Sequence, residues 1–206
     1  MDFNFTDEQK MLRGLVKEFV DGEIRPVAQK IDEDEEIPAD LIKKIGKMGF
    51  LGLSFPEEYG GGGFGELGYC IMQEEMTRAC NSTAVFIGAH QSIGTNAIYL
   101  GGSEEIKRKY LPQLTSGEKI AAFTLTEPGA GSDTFNLSTK AELVGDKWIL
   151  NGNKVWITNA GIANVFSVFA RTDKGISAFV VDADTPGIII GAKEKKLGIR
   201  GSVTNT

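Results

Sequence analysis

The segment Ile120–Asp133, IAAFTLTEPGAGSD, decides how the chain is read. It opens as an apolar, β-prone run, with Ile120, Phe123 and Leu125 and with Thr124 and Thr126 between them, which suits a strand with one buried face. It then breaks into Glu127-Pro-Gly-Ala-Gly-Ser-Asp133. Pro128 ends the strand, Gly129 and Gly131 permit backbone angles with φ above zero, and Ser132 and Asp133 are expected to satisfy turn amides. Such a loop leaves bare N–H groups at a sheet edge, where a phosphate or the polar edge of a ring can accept hydrogen bonds. The same residues in isolation also make an ordinary Gly-rich hairpin. Trp148–Ala160, WILNGNKVWITNA, has the same character around a tight Asn151-Gly-Asn153 bend. Two strand ends bearing aromatics and threonines are what a flat, apolar, hydrogen-bonding cofactor requires.

On the N-terminal side of this segment the apolar period is about 3.6; from Ile120 onward it is 2. Thr6 and Gln9 form a capping box ahead of a stripe running through Leu12, Val16, Phe19 and Ile24, with a kink expected near Glu23 because of Pro26. Short helices follow, one after Pro38 and stopped by Gly49, another over roughly Glu66 to Arg78. Ser82 is placed as the cap of a nearly all-apolar helix that carries His90, Gln91 and Ser92. Ser103 caps a last helix, which Pro112 is expected to break. Gly60–Gly63 is read as a flexible loop. Residues 1–119 are therefore expected to form an all-α domain.

Strand candidates are 120–126, 138–144, 147–151, 153–158, 164–171, 176–182, 187–191 and 197–204, with a tight hairpin at Gly145-Asp146. Together they imply an antiparallel barrel or sandwich over 120–206, and an α+β chain overall. The last residues stop within a strand pattern, as though the chain were cut short.

Composition narrows the function. The chain has 206 residues, 41% apolar and 24% charged, with a net charge of −6, an ordinary globular balance. Basic residues are scattered except at Lys193–Lys196, a solvated strand end or a contact for an anionic ligand, so no nucleic-acid footprint is present. No apolar run reaches membrane-spanning length, and no secretory signal opens the sequence. One histidine and two cysteines make no convincing zinc site, and Cys70 and Cys80 within helical patterns fit a reduced, cytoplasmic setting.

Taken together, FPEEYGG (Phe55–Gly61), GAHQSIG (Gly88–Gly94), KRKYLPQLTSGE (Lys107–Glu118), LTEPGAGSD (Leu125–Asp133), LNGNKVWITNAG (Leu150–Gly161), GISAFVVD (Gly175–Asp182) and KKLGIRGS (Lys195–Ser202) resemble the N-terminal and middle domains of flavin-dependent acyl-CoA dehydrogenases. The resemblance implies FAD held between the β-domain and a C-terminal four-helix domain that lies beyond residue 206. It places Phe123, Leu125 and Thr126 along the isoalloxazine ring, and Trp156, Ile157 and Thr158 over the opposite region, with the Thr158 hydroxyl near N5. Gly131 and Ser132 would approach cofactor phosphate and the thioester end of the substrate. His90 and Ser92 would border the acyl pocket, His90 being equally readable as a core histidine. Glu127 is read as structural, holding its loop.

The implied reaction is fatty-acid β-oxidation chemistry: an acyl-CoA becomes a trans-2-enoyl-CoA, and electrons leave near Trp156 for an electron-transfer flavoprotein. The catalytic glutamate of the family falls outside this chain, so no catalytic residue is assigned within it. A homo-oligomer, dimer or tetramer, is implied for the intact protein. The competing expectations are a non-catalytic flavin- or CoA-binding or assembly fragment, and a flavoenzyme relative that reacts with oxygen or another substrate type.

Overall fold

The computed structural model describes residues 4–206. Helices occupy the chain as far as Thr115, and the first strand begins at Ala121. Helix α1 (Asp7–Phe19) starts at the expected capping box: the Thr6 hydroxyl accepts from the Gln9 amide at 3.2 Å, and the Gln9 side chain accepts from the Thr6 amide at 3.0 Å. Pro26 removes one N–H from the ladder. The chain responds by widening to a π-helical turn over Val20–Ile24 and tightening to a 3-10 turn over Arg25–Val27, rather than by breaking. Helices α2 (Ala28–Asp34) and α3 (Ala39–Lys47) follow, and Gly49 at φ 74° turns the chain away from α3.

Helices α4 (Gly65–Ala79) and α5 (Asn81–Gly88) are separated only by Cys80, and α5 runs into a second π-helical stretch, Ala89–Thr95, and then α6 (Asn96–Gly101). Three expectations are corrected here. Ser82 does not cap α5 but lies inside it, where its hydroxyl accepts from the Gly201 amide at 3.2 Å. Pro112 does not break α7 (Glu104–Thr115), whose N-terminus Ser103 caps as expected. Pro112 sits one turn from the end, and the Thr115 hydroxyl anchors that turn by donating to the Tyr59 carbonyl at 2.7 Å. Nor is Gly60–Gly63 loose. The amides of Gly61, Gly62 and Gly63 donate to Pro56, Gly52 and Phe55, and a Cβ at Gly61 would fall 2.1 Å from the Phe55 carbonyl oxygen. Close backbone approach, not flexibility, requires glycine there.

The β part comprises β1 (Ala121–Thr124), β2 (Lys140–Val144), β3 (Lys147–Asn151), β4 (Ile157–Thr158), β5 (Val165–Thr172), β6 (Gly175–Asp182) and β7 (Thr204–Asn205). It is not the antiparallel barrel or sandwich expected. Five strands form a mixed sheet, and β4 with β7 forms a separate two-stranded ribbon. Strand β5 pairs antiparallel with β6 along its whole length, and on its other edge it takes β1 in parallel over Val165–Val168 and β2 in parallel at Arg171. Parallel pairing is possible because residues 125–164 supply the long crossover it needs. The β2–β3 hairpin turns at Gly145, φ 64°, as expected. The candidates 153–158 and 197–204 shrink to two-residue strands because Trp156, Asn159 and Ile199 have φ of 57°, 69° and 55°, which no ladder accommodates. The 187–191 candidate forms no strand, and Gly187 has φ 95°.

Buried polar staples join the two parts. Asn159 donates to the Phe86 carbonyl, and the Ser167 hydroxyl donates to the Gly94 carbonyl. The central staple is His90, with no exposed surface. Its Nδ1 accepts from the Ala121 amide at 2.9 Å, which leaves the proton on Nε2 to be donated to the Leu114 carbonyl at 3.0 Å.

Burial drives the His90 pKa down from 6.5 to about 4, against the pull of the Leu114 carbonyl. The neutral ring is thus part of the folded state. Its contribution is complete above pH 6.5 and is lost as pH falls toward 4, because the unfolded chain takes up the proton first. In urea titrations the unfolding free energy of the native chain should drop by roughly 2–3 kcal/mol more than that of His90→Gln between about pH 7 and pH 4.5. Parallel pH profiles for the two proteins would show that His90 carries no such term.

Candidate functional site

Beyond β1 the chain folds into a closed turn. The Glu127 amide donates to the Ala130 carbonyl and the Ala130 amide to the Glu127 carbonyl, both at 3.1 Å, with Pro128 and Gly129 at the centre. Proline presets φ at the first central position, and with Gly129 not at positive φ the turn has no left-handed second residue. Neither Gly129 nor Gly131 uses the positive φ that glycine permits. Ser132 and Asp133 are exposed, and their side chains cap no amide of the turn. The amides of Gly131 and Ser132 take no protein acceptor among the described residues, so bare N–H groups do face outward at this loop.

The loop is held from beneath by Glu127, 3% exposed. One carboxylate oxygen accepts from the Ser138 amide at 2.6 Å and the Ser138 hydroxyl at 2.7 Å. The other accepts from the Thr139 amide at 3.0 Å and from Lys154 Nζ at 2.8 Å. Burial alone would raise the Glu127 pKa, but Lys154, Thr139 and Ser138 outweigh it and hold the carboxyl well below its ordinary range. Burial lowers the Lys154 pKa, with Glu127 opposing the fall. The structural reading of Glu127 agrees with this geometry.

Lys154 also brings in the second strand end. Its ammonium donates to the Leu125 carbonyl at 2.9 Å, and the Val155 amide donates to the Thr126 carbonyl at 2.9 Å. The segments containing Thr126 and Thr158 are therefore laced together. The hydroxyls of Thr126, Thr158 and Ser132 find no protein partner among the described residues, and both threonines are half-buried. Phe123 packs its ring 4.9 Å from Phe169 at 55°. Trp156, at φ 57°, is 65% exposed, so it is no core tryptophan. The Ile157 side chain instead packs inward with Ala122 and Phe166, and only its main chain remains for a ligand.

On the helical side an open groove of about 430 Å³ runs between α4 and α5 and ends against Thr158. Tyr69, Gln73, Gly88 and Ser92 line it, and none of the residues that line it is charged. The Ser92 hydroxyl donates to the Gly88 carbonyl at 2.7 Å. His90 is not brought to this groove: both ring nitrogens are spent on main chain in the interior, so the pocket-side alternative for it does not hold. Lys154 has no sequence signal of its own, since it follows the Asn151-Gly-Asn153 bend like an ordinary turn-flanking lysine, and Tyr69 and Gln73 have none because helical spacing marks them as ordinary surface.

An uncharged groove lined by Thr158, beside strand ends laced together by Lys154 and bearing hydroxyls without protein partners and an exposed indole, makes up the candidate site. Residues 6–118 match the model for the acyl-CoA dehydrogenase N-terminal domain, and residues 122–206 match that for the acyl-CoA dehydrogenase middle domain. The chain belongs to the acyl-CoA dehydrogenase family. It is 46% identical to the short-chain specific acyl-CoA dehydrogenase of Clostridium acetobutylicum, over 99% of this chain and 55% of that protein. A chain in the structure of the electron transferring flavoprotein of Acidaminococcus fermentans superposes with TM-score 0.96 at 41% identity, covering 100% of this chain and 55% of that one. The Bacillus anthracis acyl-CoA dehydrogenase, solved in complex with FAD, gives TM-score 0.91 at 40% identity over 98% of this chain and 35% of its own. The chain thus spans about half the length, or less, of the proteins it matches.

The buried ion pair makes the bed testable. Lys154→Met should lower the unfolding free energy by about 3–5 kcal/mol at neutral pH, because the Glu127 carboxylate is left buried without its countercharge. Adding Glu127→Gln should recover part of that loss. A single-variant loss under about 1 kcal/mol in urea titration would mean the pair is not what holds the loops together.

Proposed function

We propose that this chain supplies the flavin bed and one wall of the substrate pocket of an FAD-dependent acyl-CoA dehydrogenase, which converts a saturated acyl-CoA to the trans-2-enoyl-CoA. The observation that carries this is the groove in which Thr158 meets the α4–α5 face beside the Thr126 strand end. The residues present fit a flavin. Hydroxyls without protein partners and outward amides suit ring heteroatoms and phosphate, and an exposed indole suits a flat apolar ring.

In this reading Thr126 and Thr158 hydrogen-bond the ring, Phe123, Leu125, Trp156 and the main chain of Ile157 flank it, and Gly131 and Ser132 present amides to phosphate. Ser92 borders the acyl group. When bound, FAD supplies the acceptor for the hydride leaving the β carbon. The groove itself excludes charged groups, and Tyr69 is the one titratable side chain that lines it, so the base that takes the α proton comes from outside this chain. Trp156 lies exposed where an electron-transfer flavoprotein could approach.

The division into a helical domain, 1–119, and a β-domain, 120–206, belongs to the same proposal. So does assembly into a homo-oligomer, supported by exposed apolar side chains such as Leu100, Phe135, Ile189 and Leu197. A cytoplasmic setting is consistent with two free cysteines, and among the described residues no helix is long and apolar enough to cross a membrane.

Titrating FAD into the purified chain should quench tryptophan fluorescence and sharpen the flavin absorbance bands. Thr158→Val should weaken that binding about tenfold, the loss of one hydrogen bond to a ring atom, and Trp156→Phe should remove most of the quenching. An FAD titration that leaves both spectra additive would overturn the flavin bed and favour an assembly fragment.

A further inference from the structure

Strand β4 pairs, among the described residues, with β7 alone. Thr158 stands opposite Thr204, and the Asn159 amide donates to the Val203 carbonyl at 2.7 Å. The Thr158 end of the bed thus depends on whatever fixes β7. The chain reaches β7 through a turn in which the Ser202 amide donates to the Ile199 carbonyl at 3.1 Å. Ile199 stands at φ 55°, a left-handed conformation that strains a β-branched residue. That turn is seated on the helices. Arg200 forks onto Asp32 of α2, its Nε 3.2 Å from each carboxylate oxygen, and lies 3.8 Å from Glu35. Gly201 is buried beside it: its amide donates to the Ser82 hydroxyl of α5 at 3.2 Å, and a Cβ there would fall 2.4 Å from Ile31 Cγ2. Lys196 ties the turn from within, donating to the Ser202 carbonyl and, at 3.1 Å, to the Thr204 hydroxyl.

We propose that Arg200 and Gly201 are positioning residues for the cofactor: by seating the strap 196–206 on α2 and α5 they keep β7 in register with β4, and so set where Thr158 meets the flavin ring. This rests on the flavin reading of the bed. Neither residue lines the groove, so their influence reaches the ring only through the β7–β4 ladder. A ladder of two residues specifies its own register weakly. Here the register is set from outside, because Gly201 is fixed against the helices three residues before Thr204, a span of at most about 10 Å that leaves little slack for sliding. Only glycine at 201 lets the strap approach Ile31 this closely. The strain at Ile199 is then the cost of turning Arg200 and Gly201 back onto the helices just ahead of β7.

The test is FAD titration of the 206-residue chain, read by flavin absorbance, for the native protein, Arg200→Met, Asp32→Ala and Gly201→Val, each with and without Thr158→Val. Arg200→Met and Asp32→Ala, at opposite ends of one partly exposed pair, should each weaken FAD binding about threefold to fivefold, and Gly201→Val about tenfold or more. In the Arg200→Met background Thr158→Val should cost less than about threefold further, against about tenfold in the native chain, because the hydroxyl is already displaced from the ring. A merely structural role would lower the melting temperature and leave that Thr158 increment unchanged. Circular dichroism melts identify variants that fold; if Gly201→Val does not, the Arg200–Asp32 pair carries the test. FAD affinity within about twofold of native in both Arg200→Met and Asp32→Ala, or a Thr158→Val cost that is the same in the native and Arg200→Met backgrounds, overturns the strap and leaves FAD binding by the bed intact. Failure of the native chain to bind FAD removes the flavin reading and the strap with it.

Discussion

The site depends on one buried carboxylate. Glu127 collects the Ser138 amide and hydroxyl, the Thr139 amide and the Lys154 ammonium, and each donor arrives from a segment remote in sequence from the turn it stabilises. A carboxylate has about four lone-pair positions, and all are used. Replacing water with four fixed donors repays its desolvation, which is why an acid can sit at 3% exposure in a loop with little apolar cover. The consequence is geometric. Lys154 answers Glu127 and the Leu125 carbonyl together, so the end of β1 and the approach to β4 share a single charged pin, and the neighbouring Val155–Thr126 hydrogen bond follows from that proximity.

The bed becomes a site only because the helices stand in a fixed relation to it. That relation is carried by single buried polar groups. His90 ties Leu114 to Ala121, Asn159 reaches Phe86 and Ser167 reaches Gly94. Buried hydrogen bonds are directional where apolar contacts are not, and an unmade partner is costly. They therefore select one seating of the sheet on the helices, the one that brings Thr158 to the end of the α4–α5 groove. On the helical stretch Ala89–Thr95, His90 points inward while Ser92, two residues on and so on the opposite face, lines the groove.

Much of this was legible in residue order. The change of period at Ile120, the capping box at Thr6 and the hairpin at Gly145 are local properties, set by side chains within a few residues of one another. What could not be read was set by distant partners. Parallel pairing of β1 and β2 with β5 depends on a crossover whose path no periodicity records. The left-handed φ at Trp156, Asn159 and Ile199 comes from residues other than glycine, so no composition signal announces where strands 153–158 and 197–204 are cut short. Glycine permits positive φ without requiring it, and a proline-led turn closed by the Glu127–Ala130 pair had no use for it. His90 was ambiguous for a similar reason: a histidine on an apolar helix serves a ligand or the main chain, and only the position of the Ala121 amide decides.

Trp156 shows how these constraints combine. A bulky residue in the left-handed region costs on the order of 1–2 kcal/mol, and leaving an indole 65% exposed forgoes the burial that would repay it. Neither is forced by the sheet, since Ile157 immediately returns to the core beside Ala122 and Phe166. The strain is instead contained by fixed points on both sides: the Val155 amide on Thr126, and the Asn159 amide on the Val203 carbonyl at 2.7 Å. Between these points the backbone passes through the left-handed region at Trp156 and leaves the indole exposed. An arrangement that spends stability to expose an aromatic ring, next to hydroxyls without protein partners, makes sense where a ligand or a partner supplies the missing contacts.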